Sequence, residues 1–296
     1  MPINRKIMGV SRASAATGVR AIFGYGNGPV SMTNLVSNTG VVSGDVTGVG
    51  TARKALASAS YSTDKAIFGY GDTGSKVSMT NLVSNIGVVA SDVSGVGTAR
   101  AFLAAAKYGT DKAIFGYGYT TAAVSMKNLV SNTGVVASDV TGVGTARDGL
   151  AGSGYSTDKA IFGYGYTGAA VSMKNLVSNT GVVASDVTGV GTARMYFAAA
   201  KYGTDKAIFG YGYNNSFAEV SMTNLVSNTG IVSGDVTGVG TARGALAASG
   251  YDTDKAIFGY GLTNVTNLVS NTGVVASDVT GVGSSRPYLA ASSYGT

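Results

Sequence analysis

Residues 113–118 read Ala113-Ile114-Phe115-Gly116-Tyr117-Gly118. A β-branched and aromatic run that ends on glycines is the signature of a strand stopping at a turn. Upstream, Leu103-Ala104-Ala105-Ala106-Lys107-Tyr108 is a short run of small residues, set off by the turn formers Gly109-Thr110-Asp111-Lys112. Downstream, Val124-Ser125-Met126-Lys127-Asn128-Leu129-Val130 begins with the apolar-polar alternation of a strand. Asn132-Thr133-Gly134 is a turn, and Val135-Val136-Ala137-Ser138-Asp139-Val140 reads as a fourth strand. A helix needs apolar spacings of three and four and few glycines, and these segments have neither.

The same unit occurs six times. Ile-Phe-Gly-Tyr-Gly recurs with its phenylalanine at 23, 68, 115, 162, 209 and 258. Asn-Leu-Val-Ser-Asn begins at Asn34, Asn81, Asn128, Asn175, Asn224 and Asn267. A period near 47 residues is too long for one coil of a β-helix and suits one propeller blade of about 40–50 residues. The expected fold is all-β: a six-bladed propeller of four-stranded antiparallel blades. Alanines and serines suit the crowded innermost strands around an axis. Gly-Tyr-Gly is expected to need positive φ or a close backbone approach.

The two chain ends are complementary. The C-terminus, Arg286-Pro287-Tyr288-Leu289-Ala290-Ala291-Ser292-Ser293-Tyr294-Gly295-Thr296, stops just before the Asp-Lys position of the unit. The first unit resumes at Val19-Arg20-Ala21-Ile22-Phe23. The C-terminal strand is therefore expected to complete the first blade and close the ring. This divides the chain into an N-terminal arm, residues 1–18, and a propeller, residues 19–296. A competing reading makes Arg12-Ala13-Ser14-Ala15-Ala16 the first inner strand, but it lacks the turn before Phe23.

With Arg100, Ile114-Phe115, Gly116 and Gly118 in matching places, and the other units alike, the chain resembles the Kelch-type propeller repeat. Two departures stand out: Tyr117 splits the double glycine, and no unit has the Kelch tryptophan. The near-identical units also resemble tandem-repeat structural proteins of phages and environmental bacteria. These resemblances imply a propeller with a structural role, and with it the expectation of a virion-associated protein.

Composition narrows the chemistry. The chain has no His, no Cys and one Glu, Glu219. This excludes a Ser-His-Asp triad, a cysteine nucleophile and zinc-finger ligation, so no enzyme activity, metal or cofactor is expected. Without Cys there is no disulfide signal of compartment. No apolar run approaches 18 residues, and no signal peptide is read, so membrane association is not expected and location is left open. The net charge of +6 is spread over the arm and several units rather than gathered in a stripe, so nucleic acid is not the expected partner.

Six Asp/Arg pairs recur eight residues apart: Asp45/Arg53, Asp92/Arg100, Asp139/Arg147, Asp186/Arg194, Asp235/Arg243 and Asp278/Arg286. Present in every unit, they are expected to be scaffold ion pairs that brace loops or blades. The units differ in two places, after Gly-Tyr-Gly and after the repeat arginine. Aromatic residues there, Tyr119, Tyr166, Tyr196, Tyr213 and Phe217, are expected to be exposed partner-binding anchors. The expected function is a non-enzymatic, protein-binding component of a larger assembly, with the arm as a further docking element. The alternative is a multivalent lectin with glycan sites repeated on each blade.

Overall fold

The computed structural model describes residues 18–296. Residues 1–17, which carry nearly all of the expected arm, lie outside the described residues. The described chain is all-β and contains no helix. β1 (Arg20–Gly26) and β2 (Val30–Val36) come first. Four sheets then follow in order: β3 (Ala57–Tyr61), β4 (Lys65–Gly69) and β5 (Thr80–Val83); β6 (Ala104–Tyr108), β7 (Lys112–Gly116) and β8 (Lys127–Val130); β9 (Ala151–Tyr155), β10 (Lys159–Tyr166) and β11 (Ala170–Val177); β12 (Ala198–Tyr202), β13 (Lys206–Gly210) and β14 (Thr223–Val226). The fifth such sheet holds β15 (Ala247–Tyr251), β16 (Lys255–Gly259) and β17 (Thr266–Val269). β18 (Ala290–Tyr294) pairs antiparallel with β1, Phe23 opposite Ala291, so the sixth sheet is β18-β1-β2. β18 and β2 occupy both sides of β1, and residues 12–16, the first inner strand of the competing reading, lie outside the described residues.

The sheets contain three strands, not the four expected. The segment read as a fourth strand touches its neighbour through isolated bridges, Val130 to Val136 and Lys127 to Val140, between which the register slips by one residue. The Asn128 side chain reaches into that slip and donates to the Ala137 carbonyl oxygen at 3.0 Å and to Asp139 Oδ1 at 2.9 Å. A side chain therefore holds the outer segment where a backbone ladder would otherwise run. An irregular outer segment also blunts the sheet edge, which would otherwise present a template for pairing.

Adjacent sheets pack by one recurring device. The first glycine of Gly-Tyr-Gly receives the phenylalanine ring of the next unit: a Cβ on Gly69 would stand 2.7 Å from Phe115 Cζ. The tyrosine that follows is left-handed (Tyr70 φ 62°, Tyr117 φ 63°), which throws its ring onto the same phenylalanine. Tyr70 and Phe115 meet edge-on, centroids 5.1 Å apart. The segment was expected to need positive φ or a close approach; the structure has positive φ at the tyrosine and the second glycine and a close approach at the first glycine. Inner strands meet in the order β3, β6, β9, β12, β15, β18, and β18 returns to β3. Six repeated sheets, each packed on the next, make the arrangement propeller-like.

Candidate functional site

The two ends of the axis along which the inner strands meet differ in chemistry. At one end the residues two positions after each repeat arginine form a ring of backbone hydrogen bonds. Phe102 N–H donates to the Ala55 carbonyl oxygen, Gly149 to Phe102, Tyr196 to Gly149, Ala245 to Tyr196, Tyr288 to Ala245 and Ala55 to Tyr288. Every member has φ between 49° and 60°, and at all but Gly149 this turns a side chain toward the axis end. Small and large residues alternate around the ring: Ala55, Phe102, Gly149, Tyr196, Ala245, Tyr288. The three large rings meet edge-to-face over the axis, Phe102–Tyr196 at 5.4 Å, Phe102–Tyr288 at 5.5 Å and Tyr196–Tyr288 at 5.7 Å.

Both variable segments gather at this end. Isolated bridges join Lys54 to Asp72, Ala101 to Tyr119, Asp148 to Tyr166 and Met195 to Tyr213, each linking a post-arginine residue to a post-glycine loop. Three of the five expected anchors, Tyr119, Tyr166 and Tyr213, thereby stand around the aromatic cluster, and a fourth, Tyr196, belongs to it. Tyr213 packs 6.5 Å from Tyr196, and Lys76 Nζ lies 5.1 Å from the centre of the Tyr119 ring. Phe217 stands out on the longest loop, 65 % exposed. The four tyrosines are half-buried rather than exposed, because the left-handed backbone or the bridge pairing lays their rings against neighbours. Asn215 ties its loop to the preceding sheet by accepting the Ala170 N–H at 2.6 Å.

Asp148 was not among the expected site residues. It is buried, and Tyr196 donates its hydroxyl to Asp148 Oδ1 at 3.3 Å. Burial raises the Asp148 carboxyl above its ordinary value, only partly offset by that hydrogen bond. Burial, with the Asp148 charge beside it, pushes the Tyr196 hydroxyl up too. Phe102 and Tyr288 were also missed as members of one cluster. The signal was present: every second unit carries an aromatic residue at this position, a two-unit rhythm hidden within the six-fold repeat.

The Asp/Arg set forms a scaffold with partners different from those expected. Arg100 does not pair with Asp92, eight residues before it; its Nη1 lies 3.8 Å from Asp139 Oδ1, one unit on. Likewise Arg53 pairs with Asp92 at 3.8 Å, Arg147 with Asp186 at 3.7 Å and Arg286 with Asp45 at 3.6 Å. The reason is topological. The repeat arginine enters at the inner side of a new sheet, and its fully buried fork spans to that sheet's outer aspartate. Arg100 donates to the Tyr117 carbonyl oxygen at 2.8 Å and to Asn128 Oδ1 at 2.7 Å, and stacks 4.3 Å from the Tyr70 ring centre of the preceding sheet. Asp139 also accepts from the Thr98 N–H at 2.9 Å and its hydroxyl at 2.6 Å.

The fourth arginine deviates. Phe197 stands where the five other units have Leu56, Leu103, Leu150, Leu246 and Leu289, and its ring lies 5.8 Å from the Arg194 guanidinium. Arg194 Nη1 turns to the Met222 carbonyl oxygen at 2.7 Å, leaving its Nε without a partner among the described residues. Asp235 and Arg243, and Asp278 and Arg286, the other pairs expected from spacing, are likewise each on different sheets, and the Thr192 and Thr241 hydroxyls cap Asp235 and Asp278.

The opposite end of the axis holds a cavity of about 290 Å³ between the inner strands. Lys127 and Lys174 are buried between sheets: Lys127 Nζ donates to the Gly181 carbonyl oxygen and Lys174 Nζ to that of Gly230, both at 3.0 Å. Among the described residues there is no group of three or more acidic side chains that could hold a metal ion. No helix there is long and apolar enough to cross a membrane. No protein-family model matches the chain, and no curated protein matches it.

Proposed function

We propose that the chain is a closed six-bladed propeller of Kelch-like design that acts as a non-enzymatic protein-binding component of a larger assembly. The observation that carries this reading is the convergence of both variable segments on one end of the axis, around Phe102, Tyr196 and Tyr288. The variable loop segments are thus presented together on a scaffold held by buried repeat residues, Phe115 and Arg100 among them. Variable loops gathered on one face of a rigid frame suit recognition of one irregular surface, and half-buried aromatic rings with a protruding phenylalanine are the anchors such surfaces use. A lectin with six equal sites would keep its site residues the same in every unit, whereas here this end has only alternate aromatics and a single Phe217 loop. The resemblance to phage tandem-repeat proteins makes a virion the assembly in view.

The test is a combined Tyr119→Ala, Tyr213→Ala and Phe217→Ala variant, compared with the parent chain by purification of the native particle that contains it. Retention of the parent and loss of the variant supports a protein-binding face. A glycan array with calorimetry tests the alternative: saccharide binding near six per chain would replace this reading with the lectin.

A further inference from the structure

The cavity opposite the aromatic cluster carries an unbalanced charge. The residues at the fourth position of the six inner strands are Ser60, Lys107, Gly154, Lys201, Gly250 and Ser293, and all line it. Of its ionisable lining residues other than tyrosine, four are lysines (Lys107, Lys159, Lys201 and Lys255) and one is an aspartate, Asp252, which is bound to Lys255 at 2.8 Å. Lys107 and Lys201 project from sheets separated by only one other, and the residue between them is Gly154, with no side chain to fill the gap. Neither ammonium has a hydrogen bond or an ion pair among the described residues. The acids whose charge reaches them are Asp64, Asp111 and Asp205. Asp111 is engaged by Lys112 at 3.2 Å and Asp205 by Lys206 at 3.9 Å.

Two half-buried cations facing a shared cavity without a directly paired counter-charge are costly unless an anion joins them. Burial lowers both lysines from their ordinary values, and Lys201 lowers Lys107 further. The hydroxyls of Ser60 and Ser293 complete a set of donors around the same level. The far end of the axis does not compete for the ligand: its smaller cavity, lined by Leu56, Leu103, Leu150 and the aromatic triad, shares no residue with this one.

We propose that this cavity binds a small phosphate-class oxyanion, held between the ammonium groups of Lys107 and Lys201 with Ser60 and Ser293 as hydroxyl donors. The size of the cavity, about 290 Å³, suits a compact, multiply charged ligand.

Calorimetric titration of the full chain with inorganic pyrophosphate, at fixed ionic strength, tests this. One site per chain is expected. The double variant Lys107→Ser and Lys201→Ser should lose affinity by at least about a hundredfold, roughly tenfold for each charged donor. Serine is what this chain itself carries at positions 60 and 293, so the variant is compatible with the fold, which circular dichroism verifies. A control, Lys54→Ser with Lys76→Ser, removes equal charge from the aromatic end and should bind as the parent does. Absence of saturable binding in the parent at millimolar pyrophosphate, or equal affinity in the Lys107/Lys201 variant, would overturn the proposal.

Discussion

A side chain on Gly259 would begin 2.8 Å from the ring of Phe23, although 236 positions separate them. Gly69 and Phe115, in consecutive units, stand in the same relation at 2.7 Å. The seam that joins the last described sheets to the first is therefore built like the others. Gly69→Ala and Gly259→Ala should each destabilise by about 1–3 kcal/mol, the usual cost of overpacking a filled interior. Chemical denaturation of both variants checks this. Equal losses are expected; a harmless Gly259→Ala beside a costly Gly69→Ala would mean that the seam is open in solution.

Replacing Arg100 with leucine should cost about 3 kcal/mol or more. It strands the buried Tyr117 carbonyl oxygen and Asn128 Oδ1, each an unsatisfied acceptor worth about 1–3 kcal/mol. Arg194→Leu should cost less, because that guanidinium already leaves its Nε unbonded and is displaced by Phe197. Urea midpoints of the two variants, measured side by side, test the order.

Acid should unfold the protein cooperatively. Asp139 is raised by burial, but hydrogen bonds from Thr98 and Asn128 and the Arg100 charge outweigh this and hold it below its ordinary 3.8; Asp45, Asp92, Asp186, Asp235 and Asp278 are held down in the same way. A carboxyl depressed by folding stabilises fully above its unfolded value and loses that contribution as pH falls through its folded value. The melting temperature should thus be level above about pH 5 and fall steeply below about pH 4. Asp139→Asn should lower the plateau and flatten the fall.

Asp148 should behave in the opposite sense. Its carboxyl is raised by burial, so its contribution is favourable below the unfolded value and is lost as pH rises through the folded one. Asp148→Asn, which keeps an acceptor for the Tyr196 hydroxyl, should raise the melting temperature at pH 7 and leave it unchanged near pH 3. A lower melting temperature at pH 7 would show that Asp148 has a stabilising partner.

The buried ammonium of Lys127 bonds one carbonyl oxygen, where Thr33, Thr80, Thr223 and Thr266 serve four of the other units and Lys174 the fifth. Lys127→Thr exchanges one hydrogen bond for relief of a desolvated charge, and the two effects are of similar size. A change within about 1 kcal/mol is expected in denaturant titration; a loss above about 3 kcal/mol would show that the lysine is required between the sheets.

The linear order of residues was enough to determine six units, their strand order from inner to outer, and the completion of the first unit by the chain's own end. These are local properties: Ala113–Phe115 is apolar and β-forming wherever it lies, and each unit repeats the pattern. The sequence also marked the variable segments. Which arginine meets which aspartate was decided only in three dimensions, because Arg100 and Asp139 are 39 residues apart and come together only when one sheet is folded from inner edge to outer. The outer segment became a bridged, slipped edge because Asn128 claims its backbone acceptor. Phe102, Tyr196 and Tyr288, and likewise Lys107 and Lys201, became clusters for the same physical reason. Bending the chain around an axis brings equivalent positions of separate units within contact distance, and adjacency around that axis is not adjacency along the chain.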